Sequence, residues 1–229
     1  WSSVEGFNSV FEGRNYTIKG LTAPLFGENV VATISNLGVE ANIVEAANGK
    51  VGILARSLAV EGEKVGTIFN CSAAGTLEYN NPNITVTSAL DLINVGGLVG
   101  GVYGGNVTLS KSNVNIKVAM VGPENEPTAY KPCVGGVVGY VCAAGEVMPV
   151  VAENENLGSL DWDDTSKSAQ VIPYIGGVAG YVTAGTFEKN TNSGVLSVSE
   201  PMLDLDWGDV AGATSVAIAE CVNAGSLTI

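Results

Sequence analysis

Histidine is absent from all 229 residues. Its absence removes imidazole-based general acid–base catalysis, Ser-His and Cys-His nucleophile pairs, and zinc sites that need imidazole. Chemistry based on carboxylates or lysine stays open. Cations are scarce too: 10 Lys+Arg stand against 23 Asp+Glu, a formal net charge of −13. That balance argues against a nucleic-acid partner, whose phosphates require a basic face. The acidity reads as solubility of an exposed surface or as a cation-binding surface. The four cysteines, Cys71, Cys133, Cys142 and Cys221, form no C-x-x-C pair, so a zinc ribbon or thioredoxin-like site is not expected. No stretch approaches the roughly 18 uninterrupted apolar residues of a membrane-spanning helix. Aromatics reach only 7%.

What remains is aliphatic and glycine-rich: 46% hydrophobic residues, mostly Val, Ala, Leu and Ile, with 30 Gly. Such a mixture suits repeated short strands better than a helical core. Self-comparison finds the repeat. One segment type is apolar and rich in glycine: Gly96-Gly97-Leu98-Val99-Gly100, Gly135-Gly136-Val137-Val138-Gly139 and Gly176-Gly177-Val178-Ala179-Gly180. The last two continue identically as Tyr140-Val141 and Tyr181-Val182. Weaker copies are Leu25-Phe26-Gly27, Gly52-Ile53-Leu54-Ala55 and Ala211-Gly212-Ala213.

A second segment type follows each copy. It starts at Ile34, Ile68, Val107, Val151, Phe187 and Ile218, and it closes nine positions later on Ile43, Leu77, Ile116, Leu160, Leu196 and Leu227. The seventh position after each start is Ala41, Gly75, Val114, Gly158, Gly194 or Gly225, small in most copies. The third is Leu37, Cys71, Ser110, Asn154, Asn190 or Cys221. In a parallel solenoid, equivalent residues stack about 4.8 Å apart, and a buried Asn is tolerated where its amide bonds along the stack. Asn154 and Asn190 therefore read first as structural and second as ligand contacts. Cys71 and Cys221 read as buried small apolar groups, and Cys133 with Cys142 is a possible pair.

Starts are separated by 34, 39, 44, 36 and 31 residues, which fits constant strands joined by variable loops. Those loops are expected at Glu78–Asn94, Lys117–Cys133, Asp161–Tyr174 and Ser197–Asp209, with others at Arg56–Thr67 and Ala143–Val150. The expected fold is all-β: one parallel β-helix (β-solenoid) domain over 1–229. It comprises a lead-in strand within 1–24, with Gly20 turning the chain, and about six glycine-rich coils with variable loops over 25–229. At about 4.8 Å per coil the rod would be about 29 Å long, with two short coils per repeat as an alternative. The chain begins at Trp1 rather than Met and ends within a strand, so flanking domains of a longer protein are expected.

Gly97-Leu98-Val99-Gly100, with Val137 and Val178 replacing the Leu in the next two copies, resembles the Gly-Leu-any-Gly motif of GLUG-repeat proteins. Phe11-Glu-Gly-Arg-Asn-Tyr-Thr-Ile-Lys-Gly-Leu21, then Leu25-Phe26-Gly27, then Thr33-Ile34-Ser35-Asn36-Leu37-Gly38-Val39 is similar to their usual lead-in. The resemblance covers nearly the whole chain. It implies a right-handed β-helix in an exported bacterial surface protein, as in gut Bacteroidetes, or a repeat region beside an immunoglobulin-A-cleaving peptidase. It supplies no catalytic residues, and a His-Glu-x-x-His zinc motif cannot exist here.

Two acidic clusters stand out: Asp161-Trp162-Asp163-Asp164 and Asp204-Leu205-Asp206-Trp207-Gly208-Asp209. Both are expected in loops before a glycine-rich strand, one repeat apart. Each is either a solvated loop with its Trp packed as a cover, a sugar-stacking site, or a Ca²⁺ site through Asp161, Asp163, Asp204 and Asp206. Paired carboxylates could also cleave glycosidic bonds, using Asp163, Asp164, Asp206 or Asp209. No other cofactor is implied. Three functions follow: a non-catalytic adhesion or display module at the cell surface, binding a host or cell-surface glycan or protein; a carbohydrate-active β-helix; or a structural spacer. The location expected for all three is extracellular.

Overall fold

The residues that the repeats place in register do lie in register. In the computed structural model, which describes residues 1–47, 49–81, 93–120, 131–163, 173–199 and 206–228, the start positions form one parallel column. Ile34 pairs with Ile68, Ile68 with Val107, Val107 with Val151, Val151 with Phe187 and Phe187 with Ile218. The closing aliphatics form another, Ile43–Leu77–Ile116–Leu160–Leu196–Leu227. From Ile34 to Phe187 and from Ile43 to Leu196, every member of the two columns is buried. No single turn of chain buries its own faces, so the core exists only because neighbours stack.

The described residues are all strand, bend and turn. One long sheet carries the start and closing columns. Two five-stranded parallel sheets carry the glycine-rich segments among the described residues. The first runs through Ala55–Leu58, Val99–Tyr103, Val138–Cys142, Ala179–Val182 and Ala211–Thr214. The second runs through Lys50–Val51, Asn94–Gly96, Cys133–Gly135, Tyr174–Gly176 and Asp206–Gly208. The architecture is therefore solenoid-like, with parallel strands stacked in curled sheets. No helix among the described residues is long and apolar enough to cross a membrane.

The glycine-rich motif has a steric cause. A β-carbon on Gly139 would fall 2.5 Å from the Gly100 carbonyl oxygen and 2.7 Å from the Val95 nitrogen. One on Gly100 would fall 2.6 Å from the Val51 nitrogen, and one on Gly212 2.5 Å from the Ile175 nitrogen. Each glycine thus lets a strand of the first sheet lie directly on the backbone of the second sheet one repeat earlier.

The segment Val10–Leu21 is more than a lead-in. It pairs in parallel with Thr33–Glu45 and so covers the first member of the stack. Gly13, Arg14 and Asn15 together face the single residue Asn36, a bulge in which Arg14 (φ 52°) and Asn15 (φ 61°) are left-handed. Gly20 was expected to turn the chain; instead it sits at φ 77° in a second bulge and the strand runs on to Leu21. Beneath it, Phe7 stacks on Phe26 with ring centroids 4.9 Å apart, and Phe11 meets Phe26 edge-on at 5.8 Å.

The expected loops shrink. Strands continue past the closing aliphatics over Glu78–Asn81, Lys117–Met120, Asp161–Asp163 and Ser197–Ser199, within the strands Ser72–Asn81, Lys111–Met120, Ser159–Asp163 and Val195–Ser199. The insertion after Arg56 holds a small antiparallel hairpin, Val60–Glu61 with Lys64–Val65.

Candidate functional site

The Asp161–Asp163 cluster is strand, not loop. Asp161, Trp162 and Asp163 pair with Lys117, Val118 and Ala119 on one side and with Ser197, Val198 and Ser199 on the other. Side chains alternate across a strand, so Trp162 turns inward. It is 1% exposed and continues a buried column from Tyr79 through Val118 to Val198. Its indole is occupied by packing and offers no face to a sugar. Asp161 and Asp163 stay half-buried on the opposite face.

The second cluster lies elsewhere. Asp206 and Trp207 belong to a five-stranded sheet, where they pair with Tyr174 and Ile175, and Asp209 follows in an exposed bend. The two clusters are thus not equivalent positions: one sits just after a closing aliphatic, the other just before a glycine-rich strand. Asp164 and Asp204 lie outside the described residues. Among the described residues no three His, Cys, Asp or Glu side chains converge as a metal-ligand set.

The third-position column behaves as a hydrogen-bonded ladder. Cys71 N–H donates to Ser110 Oγ (3.1 Å), Ser110 N–H to Asn154 Oδ1 (3.0 Å), Asn154 N–H to Asn190 Oδ1 (3.0 Å) and Asn190 N–H to Cys221 Sγ (3.4 Å). Asn154 Nδ2 also donates to Asn190 Oδ1, at 3.1 Å. Both asparagines are therefore fully engaged inside the stack. The four cysteines are free thiols. Burial pushes the Cys71 thiol up to about 11 and the Cys133 thiol up to about 12.

A position beside that ladder carried no visible signature. The second residue after every start is left-handed: Asn36, Asn70, Leu109, Glu153, Lys189 and Glu220, with φ between 50° and 58°. Left-handed backbone costs an ordinary L-residue roughly 1–2 kcal/mol, with Asn among the residues that visit it routinely. Leu109 is the odd member, apolar and 43% exposed.

Around it opens a groove of about 220 Å³, lined by Asn15, Thr17, Asn36, Asn70, Ser72, Leu109 and Lys111 above a floor of Leu37, Gly38 and Cys71. Asn70 Nδ2 donates to Asn36 Oδ1 (2.6 Å), and Asn36 Nδ2 donates to both Glu12 carboxylate oxygens (3.1 Å). Glu12 also accepts from Arg14 N–H and Ser35 Oγ, each at 2.9 Å. The Arg14 backbone bond first, then the Ser35 and Asn36 side chains, hold its carboxyl below the ordinary 4.5.

A second surface feature is an aromatic ladder. Gly101, Tyr140 and Tyr181 share one column. Gly101 has no side chain, and the Tyr103 ring folds back over it: a β-carbon there would meet Cε2 at 2.6 Å. The ring fills the gap, an aromatic rescue of a strand glycine, so that Tyr103, Tyr140 and Tyr181 follow one another at 5.9 Å steps. Tyr174 packs on Tyr181 at 4.6 Å. The Lys50 ammonium lies 5.3 Å from the Tyr103 centroid and the Lys131 ammonium 5.3 Å from that of Tyr174.

These columns define an all-β repeat protein of solenoid-like build whose repeated geometry serves stacking. No family model matches the chain. It is similar to an immunoglobulin A1 protease of Streptococcus pneumoniae (strain ATCC BAA-255 / R6), 24% identical over 204 residues, covering 81% of this chain and 10% of that protein. The chain thus spans about a tenth of the length of the curated relative it matches.

Proposed function

We propose that the chain is a non-catalytic display and adhesion module, the accessory repeat region of an exported bacterial protein of the peptidase-bearing kind. It is a right-handed β-helix of about six coils of the GLUG type, working outside the cell and joined to flanking domains. The observation that carries this reading is the similarity to one tenth of an immunoglobulin A1 protease by a chain that contains no histidine. A segment of that size without imidazole has no zinc-peptidase motif of its own, so its contribution is scaffold and surface. The partner is a glycan or protein of a host or cell surface.

The carbohydrate-active reading loses one of its two aromatic groups, because Trp162 is buried. Glycan and host-protein arrays, with immunoglobulin A1 among the probes, test the display reading. Retention of at least one probe without any cleavage of it is expected. Hydrolysis of immunoglobulin A1, or release of reducing ends or unsaturated products from pectin, alginate or neutral glycans, would overturn it.

A further inference from the structure

The groove at Leu109 combines three observations that packing alone does not explain. First, Leu109 is an exposed leucine in a left-handed conformation, whereas the other five positions of its column hold polar residues. The left-handed backbone is common to the whole column, so what sets Leu109 apart is its exposed aliphatic side chain. Second, solvent-exposed polar groups surround it. The Asn15 amide, the Thr17 and Ser72 hydroxyls and Asn70 Oδ1 line the groove, and none has a hydrogen-bond partner among the described residues. Third, the charge at the site is already balanced. Lys111 is held by Glu155 at 2.9 Å, and Glu12 is saturated by its three donors.

A charged ligand has no counter-charge to displace here. A peptide adding as a strand needs an open run of backbone groups; between Val10–Leu21, Thr33–Glu45, Ser72–Asn81 and Lys111–Met120, the strands that carry the groove, those groups are paired with one another. The remaining chemistry is hydroxyl and amide groups beside one aliphatic wall. That suits a pyranose ring, which presents equatorial hydroxyls at its edge and C–H groups on its face. The size agrees. At about 220 Å³ the groove is smaller than the ~300–1,000 Å³ of sites for drug-sized ligands.

We infer that this groove is a binding site for one neutral pyranose of a surface glycan. Leu109 packs on the C–H face; Asn15, Thr17, Asn70 and Ser72 bond its hydroxyls. The inference rests on the display reading for the class of partner and deepens it by naming one.

The test is an amide-resolved NMR titration of the whole chain. The probes are methyl glycosides of glucose, galactose, mannose, N-acetylglucosamine and N-acetylgalactosamine, with glucuronate and sialic acid as charged comparisons. Shifts confined to Asn15, Asn70, Ser72 and Leu109 are expected with at least one neutral sugar. Leu109→Asn keeps a residue suited to the left-handed backbone, and Thr17→Val keeps the shape of the side chain. Each should weaken binding at least fivefold while leaving the spectrum of the stack intact. No shift at these amides with any neutral sugar, a preference for the charged sugars, or unchanged affinity in both variants would overturn the inference. If array probes are retained while the groove stays silent, the site fails and the display reading survives. If no probe is retained and only the groove responds, the site stands and the adhesive partner is wrong.

Discussion

The two halves of the long sheet turn the same corner by different chemistry. In the first half the strands Thr33–Glu45, Ser72–Asn81 and Lys111–Met120 run straight through it, with Val39, Ala73 and Ser112 at the fifth position after each start. In the second half that position is Asn156, Asn192 or Asn223, followed two residues later by glycine. Each asparagine Oδ1 accepts the N–H of that glycine at 3.2 Å. The side chain replaces a ladder bond and the strand breaks in two, as Glu155–Asn156 with Ser159–Asp163 and Thr191–Asn192 with Val195–Ser199. The amides also join each other: Asn156 Nδ2 donates to Asn192 Oδ1 and Asn192 Nδ2 to Asn223 Oδ1, both at 2.9 Å. The first half passes this corner on small side chains without an amide ladder, and the second is held there by a polar ladder that is buried at Asn156 and Asn192. A ladder of that kind is strong when complete and costly when broken.

Asn192→Ala breaks the second half at its centre and has the largest expected effect. It removes the acceptor of both the Asn156 amide and the Gly194 N–H. Asn156 Nδ2 keeps only a 3.3 Å bond to the Gly158 carbonyl. Orphaned buried groups cost ~1–3 kcal/mol each, so a loss of about 3 kcal/mol is expected in urea unfolding. A loss below about 1 kcal/mol would mean that the ladder contributes little beyond shape.

Leu109→Asn acts on the other half with opposite sign. Replacing a strained leucine by a residue that tolerates left-handed backbone should stabilise the chain by about 1 kcal/mol, read as a rise in Tm. The same variant is expected to lose sugar affinity, so stability and binding should move apart.

Acid should loosen the first half before the second. The Glu12 carboxyl titrates below its ordinary value because the charged form accepts three donors. A depressed folded value means that its contribution is complete above the unfolded value near 4.5 and is lost as pH falls through the folded value. The protection of Val10–Leu21 amides, taken as exchange relative to the intrinsic rate at each pH, should therefore fall below pH 4.5, and Glu12→Gln should flatten that dependence.

The cysteines compare the halves at one shared position. Cys71 is 3% exposed with its thiol pushed to about 11, whereas Cys221 sits half-buried at the far end of the same column. A maleimide at pH 8 should modify Cys221 several-fold faster than Cys71, counted by mass spectrometry, because the thiolate fraction and access both favour it.

The sequence made legible whatever repeats as a side chain. The start, third, seventh and closing positions share size or polarity, so their columns could be read before any coordinates. The left-handed column could not: Asn36, Asn70, Leu109, Glu153, Lys189 and Glu220 share a backbone angle, and the polarity common to five of them is that of any exposed turn. Trp162 was misplaced for a related reason. The variable spacing between each closing aliphatic and the next glycine-rich strand suggested a loop from Asp161 on, yet Leu160-Asp161-Trp162-Asp163 continues the in–out alternation of Leu77-Glu78-Tyr79 and Ile116-Lys117-Val118. The groove was invisible because it joins Asn15 and Thr17 of the covering strand to residues of later repeats.

Ser112 marks the boundary between the two halves and gives the smallest expected effect. It occupies the asparagine position in the last uninterrupted strand, and its buried hydroxyl has no partner among the described residues. It is too short to reach Asn156 as one asparagine reaches the next, and Val114, two residues on, carries a side chain where Gly158, one repeat later, leaves room for the Val114 backbone. The hydroxyl therefore pays desolvation without a bond in return. Ser112→Ala removes a buried unpaired group and almost no volume, so unfolding free energy should stay within about 0.5 kcal/mol of the parent or rise. A loss of ~2 kcal/mol would show that the polar ladder already begins at Ser112, and the boundary between the two halves would move one repeat earlier.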